Sequence, residues 1–138
     1  MKCDMQTNVL EYLEQTAERV PDKIAFADDT SALSFGEVSK RSQQIGCHLA
    51  SYQAAHEPVF VYMKRSPETL TAFFGVIYAG CYYVPIDEEM PRRRIELILE
   101  NTKAKYLIYD ESTCDKVSEL DFSGRSFSYE AVSYTYLT

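Results

Sequence analysis

Between residues 58 and 109 the sequence alternates buried-strand and amphipathic-helix patterns, and this alternation constrains the fold more than any other feature. Residues 58–63 are apolar without polar alternation, as expected of a parallel strand that is covered on both faces. Residues 82–86 and 106–109 form two further apolar runs, and a helical pattern precedes each of them. Consecutive strands joined by helices require right-handed crossovers and a parallel sheet. The sequence therefore predicts an α/β fold with an open, largely parallel sheet and helices on both faces.

Capping residues mark where the helices begin. Asn8 and Ser34 each stand three residues before a glutamate, Glu11 and Glu37, which is the spacing of a capping box. Ser66 is followed by proline, so it supplies an N-cap and a favourable first helical residue. The predicted helices span residues 8–19, 34–52, 66–80 and a segment that starts at Pro91. Two short strands, at residues 23–27 and 33–35, are expected between the first two helices.

The third of these helices is predicted to end at Gly80, the usual left-handed residue at a helix C-terminus. The strand that follows it, at residues 82–86, is expected to be buried. Four apolar side chains of the helix are expected to face the core: Leu70, Phe73, Phe74 and Ile77.

The C-terminal part of the sequence carries a weaker signal. Residues 111–120 are polar and predict at most a short helix. After them, aromatic residues alternate with small or polar ones, at Phe127, Tyr129, Tyr134 and Tyr136. This period of two predicts one or two half-exposed strands.

Length and charge narrow the class of protein. The 138 residues are enough for one core, and we expect residues 1–138 to form a single α/β domain. The 14 Lys and Arg against 21 Asp and Glu give a net charge of -7, which argues against nucleic acid and anionic membranes as partners. No signal peptide opens the chain, and glycines and a proline interrupt its longest uncharged run, so no membrane span is expected. The 4 cysteines are scattered without metal-ligand spacing, which is typical of free thiols in the cytoplasm.

No catalytic, cofactor-binding or metal-ligating residue is predicted on this chain. Gly75 and Gly80 have the glycine spacing of a phosphate loop, but Cys81 follows where that motif requires lysine. Cys47 and His48 are adjacent on a predicted helix, so their side chains point about 100° apart, and no nucleophile elbow occurs. His48 is interpreted as a packed structural residue.

Charged residues at the exit of the 82–86 strand are the remaining candidates for a site. Asp87, Glu88 and Glu89 stand where open α/β sheets bind ligands, although a solvated loop that caps the next helix is the favoured interpretation. The next helix opens with three arginines, Arg92, Arg93 and Arg94. Positive charge there opposes the helix dipole, so either a bound anion or pairing with Glu88 and Glu89 must offset it. Local pairing is the favoured alternative.

Two segments resemble core motifs of the adenylate-forming (AMP-binding) ligases, particularly the amino-acid-activating branch. Residues 33–38, Leu-Ser-Phe-Gly-Glu-Val, are similar to the first core motif of that family. Residues 76–87 are similar to the second, in which a helix ending in Lys-Ala-Gly leads into Tyr-Val-Pro, and Tyr78 stands where the family commonly has lysine. The resemblance covers about residues 8–110 and leans toward D-alanyl carrier protein ligases and nonribosomal peptide synthetase adenylation domains.

The resemblance implies a reaction in which ATP and an amino acid give an aminoacyl-AMP and pyrophosphate, followed by transfer to a carrier-protein thiol. The family's phosphate loop, substrate pocket and catalytic lysine all follow the second motif. The resemblance thus implies an N-terminal fragment that is inactive alone, with ATP and Mg²⁺ needed by the full-length parent. Its implied partners are the remainder of the adenylation domain and an acyl or peptidyl carrier protein. Residues 134–138 resemble the strand that enters the phosphate loop.

Two other hypotheses stay open. A stand-alone, non-catalytic α/β binding or interaction module would leave no apolar face uncovered, whereas a fragment can self-associate through exposed faces. A flavodoxin-like nucleotide or flavin binder would need a phosphate loop after Met63, where residues 64–67 offer only a helix N-terminus.

Overall fold

The computed structural model describes residues 8–133 and confirms the α/β class. Its elements, in chain order, are α1 (Val9–Arg19), β1 (Ile24–Ala27), β2 (Ala32–Ser34), α2 (Phe35–Ala50), β3 (Pro58–Tyr62), α3 (Pro67–Tyr78), β4 (Tyr82–Ile86), α4 (Arg92–Thr102), β5 (Tyr106–Tyr109), α5 (Cys114–Glu119), β6 (Arg125–Ser128) and α6 (Tyr129–Ser133). The main sheet has the strand order β4-β3-β5-β6, and all its pairs are parallel. β1 and β2 form a separate antiparallel hairpin.

Helices cover both faces of the main sheet, as predicted. Every residue of β3 is buried, which explains why its sequence is apolar without alternation. On one face, β3 packs with α2, α3 and α6 around side chains such as Ile45 and Val76. On the other face, Phe60 and Leu107 pack with α4 and α5 around Ile95 and Val117.

The predicted helix starts are present with their caps. The Asn8 side chain accepts a hydrogen bond from the Glu11 backbone N–H at 3.0 Å. At α2 both halves of the capping box form: the Glu37 N–H donates to Ser34 Oγ, and the Ser34 N–H donates to Glu37 Oε1. These bonds satisfy donors that a helix start otherwise leaves unpaired.

Two glycines allow α2 and α3 to cross in close contact. A Cβ atom placed on Gly75 would lie 2.6 Å from both Cβ and Cγ2 of Ile45. A Cβ atom on Gly46 would lie 2.6 Å from Tyr78 Cβ and 3.2 Å from the Gly75 carbonyl oxygen. Gly75, which has a false phosphate-loop spacing in the sequence, is thus a helix-crossing residue.

The predicted inward face of α3 was right only in part, because Phe73 and Phe74 are partly buried and pack against core clusters, whereas Leu70 is exposed. The buried residues of this helix are Pro67, Thr71, Ala72, Gly75 and Val76. The four predicted core residues, Leu70, Phe73, Phe74 and Ile77, lie around this buried stripe and keep partial exposure. Because α3 is apolar on almost every side, its periodicity could not identify the face, and the close crossing with α2 selects the small side chains.

β4 was predicted to be a buried strand and is an edge strand instead. Among residues 8–133 it pairs only with β3, and the Tyr82 side chain is 56% exposed. Its apolar sequence resembles that of a central strand, so composition alone could not distinguish the two positions.

The alternation of aromatic residues near the C-terminus predicted one or two half-exposed strands, and this prediction is only partly confirmed. Phe127 lies in β6, but it is buried rather than half exposed, and Tyr129 begins α6. Tyr134 and Tyr136, together with the segment that resembles a phosphate-loop strand, lie outside the described residues. In the β1–β2 hairpin, Phe35 was predicted to lie in the second strand, but it begins α2 instead.

No helix within residues 8–133 is long and apolar enough to cross a membrane.

Candidate functional site

Within residues 8–133, a groove of about 780 Å³ lies at the carboxyl ends of β3 and β4, and we name it the α3 groove. The β1–β2 hairpin closes one side of the groove, and the first two turns of α3 close another. Its lining comprises residues 25–28, Val61, Met63, residues 65–67, Thr69, Leu70, Phe73, residues 85–87 and Met90. Most of these side chains are apolar.

Aromatic contacts shape the walls of the α3 groove. The Phe73 ring stacks on Tyr83 of β4, with centroids 4.2 Å apart and an interplanar angle of 15°. The Phe26 ring of β1 stacks on Phe74 of α3, with centroids 6.3 Å apart. α3 is therefore tied to the sheet edge on one side and to the hairpin on the other.

Buried Asp110, at the end of β5, fixes the loop between β3 and α3. Its carboxylate accepts hydrogen bonds from the Lys64 backbone N–H at 3.1 Å, the Ser112 hydroxyl at 2.7 Å and the Thr113 backbone N–H at 3.1 Å. The Thr113 hydroxyl donates to the carbonyl oxygen of Tyr62 at 2.6 Å. These bonds bridge the carboxyl ends of β3 and β5, where the strand order reverses and open α/β sheets usually bind ligands.

Sequence reasoning missed Asp110 and Thr113. The signal was present as Asp-x-x-Thr directly after a strand, a pattern typical of turns in which the carboxylate caps the following backbone. This bridge also counts against the flavodoxin-like hypothesis, because the chain's own side chains occupy the crevice that a nucleotide would need.

The loop after β4 does not cap the next helix as expected. Asp87 lies on the rim of the α3 groove and pairs with Arg65, Nη2 to Oδ2, at 3.1 Å. Its other oxygen accepts the Glu89 backbone N–H at 2.9 Å. The bond from Glu89 and then the Arg65 charge lower the pKa of Asp87. Pro91 occupies the N-cap position of α4 without a side-chain hydrogen bond.

Two of the three arginines at the start of α4, Arg92 and Arg93, pair locally, but with a different partner from the one predicted. Arg92 Nε lies 3.3 Å from Glu96 Oε2, and Arg93 Nη1 lies 4.0 Å from Glu96 Oε1. These contacts join residues one turn apart on the helix. Glu88 instead uses its carbonyl oxygen to accept a hydrogen bond from Lys116.

The cysteines and His48 contribute no assembled site. Cys47, Cys81 and Cys114 are free thiols, and within residues 8–133 no three His, Cys, Asp or Glu side chains come together to hold a metal ion. His48 packs edge-on against Tyr52 and Phe127, and burial lowers its pKa. The interpretation of His48 as a packed residue is consistent with this position.

An open parallel sheet with helices on both faces and a groove at the carboxyl ends of its strands defines the class of doubly wound α/β domains. The chain matches the family described as AMP-binding enzyme over residues 13–133. It therefore belongs to the AMP-binding enzyme family, and the resemblance to adenylate-forming ligases is confirmed.

The similar proteins are peptide synthetases that are much longer than this chain. Tyrocidine synthase 1 of Brevibacillus parabrevis is 30% identical over 118 residues, which are 85% of this chain and 11% of that protein. Cyclosporin synthetase simA of Tolypocladium inflatum is 33% identical over 107 residues, which are 77% of this chain and 1% of that protein. The chain thus spans a small fraction of the length of the curated relatives it matches.

Solved structures share the fold. The nonribosomal peptide synthetase FmoA3, bound to alpha-methyl-L-serine-AMP, superposes with a TM-score of 0.86 and 24% identity over 99% of this chain and 16% of that one. The N-terminal subdomain of Klebsiella oxytoca NpsA, in complex with anthranilyl-AMSN, gives a TM-score of 0.77 and 20% identity over 94% of this chain and 33% of that one.

Proposed function

We propose that this chain is the N-terminal part of an amino-acid-adenylating ligase. The parent enzyme uses ATP and Mg²⁺ to convert an amino acid to its aminoacyl-AMP and pyrophosphate, and then transfers the acyl group to the thiol of a carrier protein. The observation that carries this proposal is the family match over residues 13–133, supported by the similarity to peptide synthetases such as Tyrocidine synthase 1.

The chemistry of the reaction lies outside this chain in our proposal. Within residues 8–133, the polar groups at the carboxyl ends of β3 and β4 do not fit a nucleoside triphosphate or Mg²⁺. Ser66 caps α3 by accepting the Thr69 backbone N–H at 3.3 Å, and Arg65 already pairs with Asp87. We expect the 138-residue chain to be inactive alone.

The activated acid is an amino acid, with D-alanine as one member of the class, and the carrier protein and the remainder of the adenylation domain are the partners. We place the parent enzyme in the cytoplasm. The open, apolar α3 groove favours this proposal over a stand-alone module, because such a module is expected to cover its apolar faces.

The test is amino-acid-dependent exchange of pyrophosphate into ATP by the longer product of the same reading frame, measured with a panel of amino acids. Exchange with one or a few of them is expected. Exchange with none of them, from a folded product, would contradict the proposed activity.

A further inference from the structure

A cluster of rings joins the C-terminal end of α2 to β6, and we name it the His48 cluster. It consists of His48, Tyr52, Tyr106 and Phe127, with Arg125 beside them. The His48 ring packs edge-on against Phe127, with centroids 4.8 Å apart, and against Tyr52, with centroids 5.5 Å apart. The Tyr106 ring of β5 stacks on Phe127 with an interplanar angle of 12°. His48 is therefore a direct side-chain contact between α2 and β6.

β6 is the strand that this cluster secures. Within residues 8–133 it pairs only with β5, so it forms one edge of the main sheet. An edge strand is hydrogen-bonded on one side, and such elements open locally at a lower free energy than the strands of the core. Of the four residues of β6 only Phe127 is buried, and its ring is the one that His48 contacts. The buried anchor of β6 thus rests on a titratable side chain.

The protonated form of His48 has no acidic partner in this cluster. Within residues 8–133 no carboxylate forms an ion pair with His48. The charged group of the cluster is positive: Cζ of Arg125 on β6 lies 4.7 Å from the centre of the Tyr52 ring, which His48 also contacts. A protonated His48 would therefore place a second positive charge against the same ring.

The elements around the cluster do not supply the missing negative charge. On β5, the Tyr106 hydroxyl donates to the Tyr52 carbonyl oxygen at 3.4 Å. Three charged side chains on or beside the surrounding elements have other partners: Glu130 of α6 with the Ser128 hydroxyl, Lys105 next to β5 with Glu57, and Arg41 of α2 with Glu37.

Protonation of His48 should therefore weaken the contact between α2 and β6. An imidazolium that is packed among rings loses hydration and gains no ion pair, whereas opening of the cluster returns it to water. Burial accordingly lowers the pKa of His48 below its ordinary value of about 6.5. The stability that the neutral ring contributes is then fully present above about pH 6.5 and is lost as the pH falls through the lower pKa of the packed ring.

We propose that His48 is an acid-sensitive latch for β6: the neutral imidazole holds Phe127 and its strand against α2, and the protonated imidazole favours release of this edge strand. The latch belongs to the fold of the chain and does not depend on the proposed function. The chain has 2 histidines, and His56, in the loop between α2 and β3, is exposed. A response of β6 between about pH 7.5 and 5 can therefore be assigned by substituting each histidine in turn.

The experiment measures amide hydrogen exchange in the 138-residue chain by NMR at about pH 7.5 and about pH 5, expressed as protection factors. The reporter is the Arg125 N–H, which donates to the Lys105 carbonyl oxygen at 2.8 Å. The reference is the Tyr82 N–H of β4, at the opposite edge of the sheet, which donates to the Glu57 carbonyl oxygen at 3.3 Å. Titration of the His48 ring signals in the same samples gives its pKa directly.

Three variants separate the latch from a general effect of acid. His48→Phe keeps a flat ring that cannot be protonated. His56→Asn is the matched control, because it removes the other histidine and asparagine tolerates the φ of 69° at that position. Phe127→Leu keeps His48 but removes the ring against which it packs, and it serves as a second test in case His48→Phe folds poorly. Circular dichroism checks the fold of each variant.

In the wild type and in His56→Asn, protection of the Arg125 N–H is expected to fall roughly threefold or more from neutral to acid pH, while protection of the Tyr82 N–H changes by less than about twofold. In His48→Phe, the protection of the Arg125 N–H should be the same at both pH values. In Phe127→Leu, the pKa of His48 should rise toward its ordinary value.

Three results would overturn the inference. The first is an unchanged protection of the Arg125 N–H in the wild type. The second is an equal fall in folded His48→Phe, or a fall that His56→Asn abolishes. The third is a His48 ring that titrates in the wild type at or above the ordinary value of about 6.5, because the packed cluster would then not disfavour the charged form.

Discussion

Gly75→Ala tests the close crossing of α2 and α3. The new Cβ would lie 2.6 Å from Cβ and Cγ2 of Ile45, a residue that is fully buried. Because Cβ of Ile45 is fixed to its backbone, no rotamer change relieves the contact. The helices must move apart by about 0.8 Å to restore an ordinary contact of 3.4 Å.

Two opposing effects set the size of the change. Alanine is favoured over glycine in a helix interior by about 1 kcal/mol. Overpacking of a close-packed core costs about 1–3 kcal/mol, and here it also disturbs the packing of α3 on β3. Because the 2.6 Å contact involves a Cβ atom that cannot rotate away, we expect the upper part of this range, about 2–3 kcal/mol, to apply. The net loss in the free energy of unfolding is then about 1–2 kcal/mol, with a fall of roughly 3–7 °C in Tm.

Urea denaturation of the 138-residue chain, followed by circular dichroism, measures this loss. Cys47→Ala, on the exposed side of α2, is the control and is expected to stay within about 0.5 kcal/mol of the wild type. A Gly75→Ala protein as stable as this control, or more stable than the wild type, would refute the close crossing.

Three further substitutions test individual contacts by the same assay. Asp110→Ala removes the acceptor of three hydrogen bonds at a buried site and is expected to lower the free energy of unfolding by about 2–4 kcal/mol. The control Asp115→Ala, at an exposed position, is expected to lower it by less than about 0.5 kcal/mol. Equal losses in the two variants would contradict the bridging role of Asp110. Burial, followed by the charge of Glu14, raises the pKa of Tyr78 to about 12, so wild-type stability should fall as the pH rises from 10 through 12, where only the unfolded state ionises readily. Tyr78→Phe should show a smaller fall over that range, and an identical profile would count against a buried hydroxyl. Ser34→Ala removes the cap of α2 and is expected to lower the free energy of unfolding by about 1 kcal/mol; no change would mean that the capping box is not formed in solution.

The fold was predictable where a local sequence pattern is compatible with only one kind of structure. The uniform apolar pattern of β3 and the caps at Asn8, Ser34 and Ser66 correctly predicted a parallel sheet and the helix starts. The apolar sequence of β4 was compatible with both a central and an edge strand, so composition could not show which position it takes. The inward face of α3 was ambiguous for the same reason.

The site was less predictable than the fold, because its contacts join segments far apart in the sequence. Asp110 and Lys64 are separated by 46 positions, and their contact depends on the register of β3 and β5. The Asp87–Arg65 pair likewise depends on how the loops after β3 and β4 approach each other. Local charge patterns instead predicted pairing between residues close in the sequence. Arg92 and Arg93 do pair locally, but with Glu96 and not with the predicted Glu88 and Glu89.

The most direct test of the central claim compares pyrophosphate exchange by the 138-residue chain and by the product of the reading frame extended beyond Thr138. Both are assayed at equal concentration with ATP, Mg²⁺ and the same panel of amino acids. The account predicts no exchange by the 138-residue chain and amino-acid-dependent exchange by the extended product. Exchange by the 138-residue chain itself would contradict the claim that the catalytic groups lie outside it.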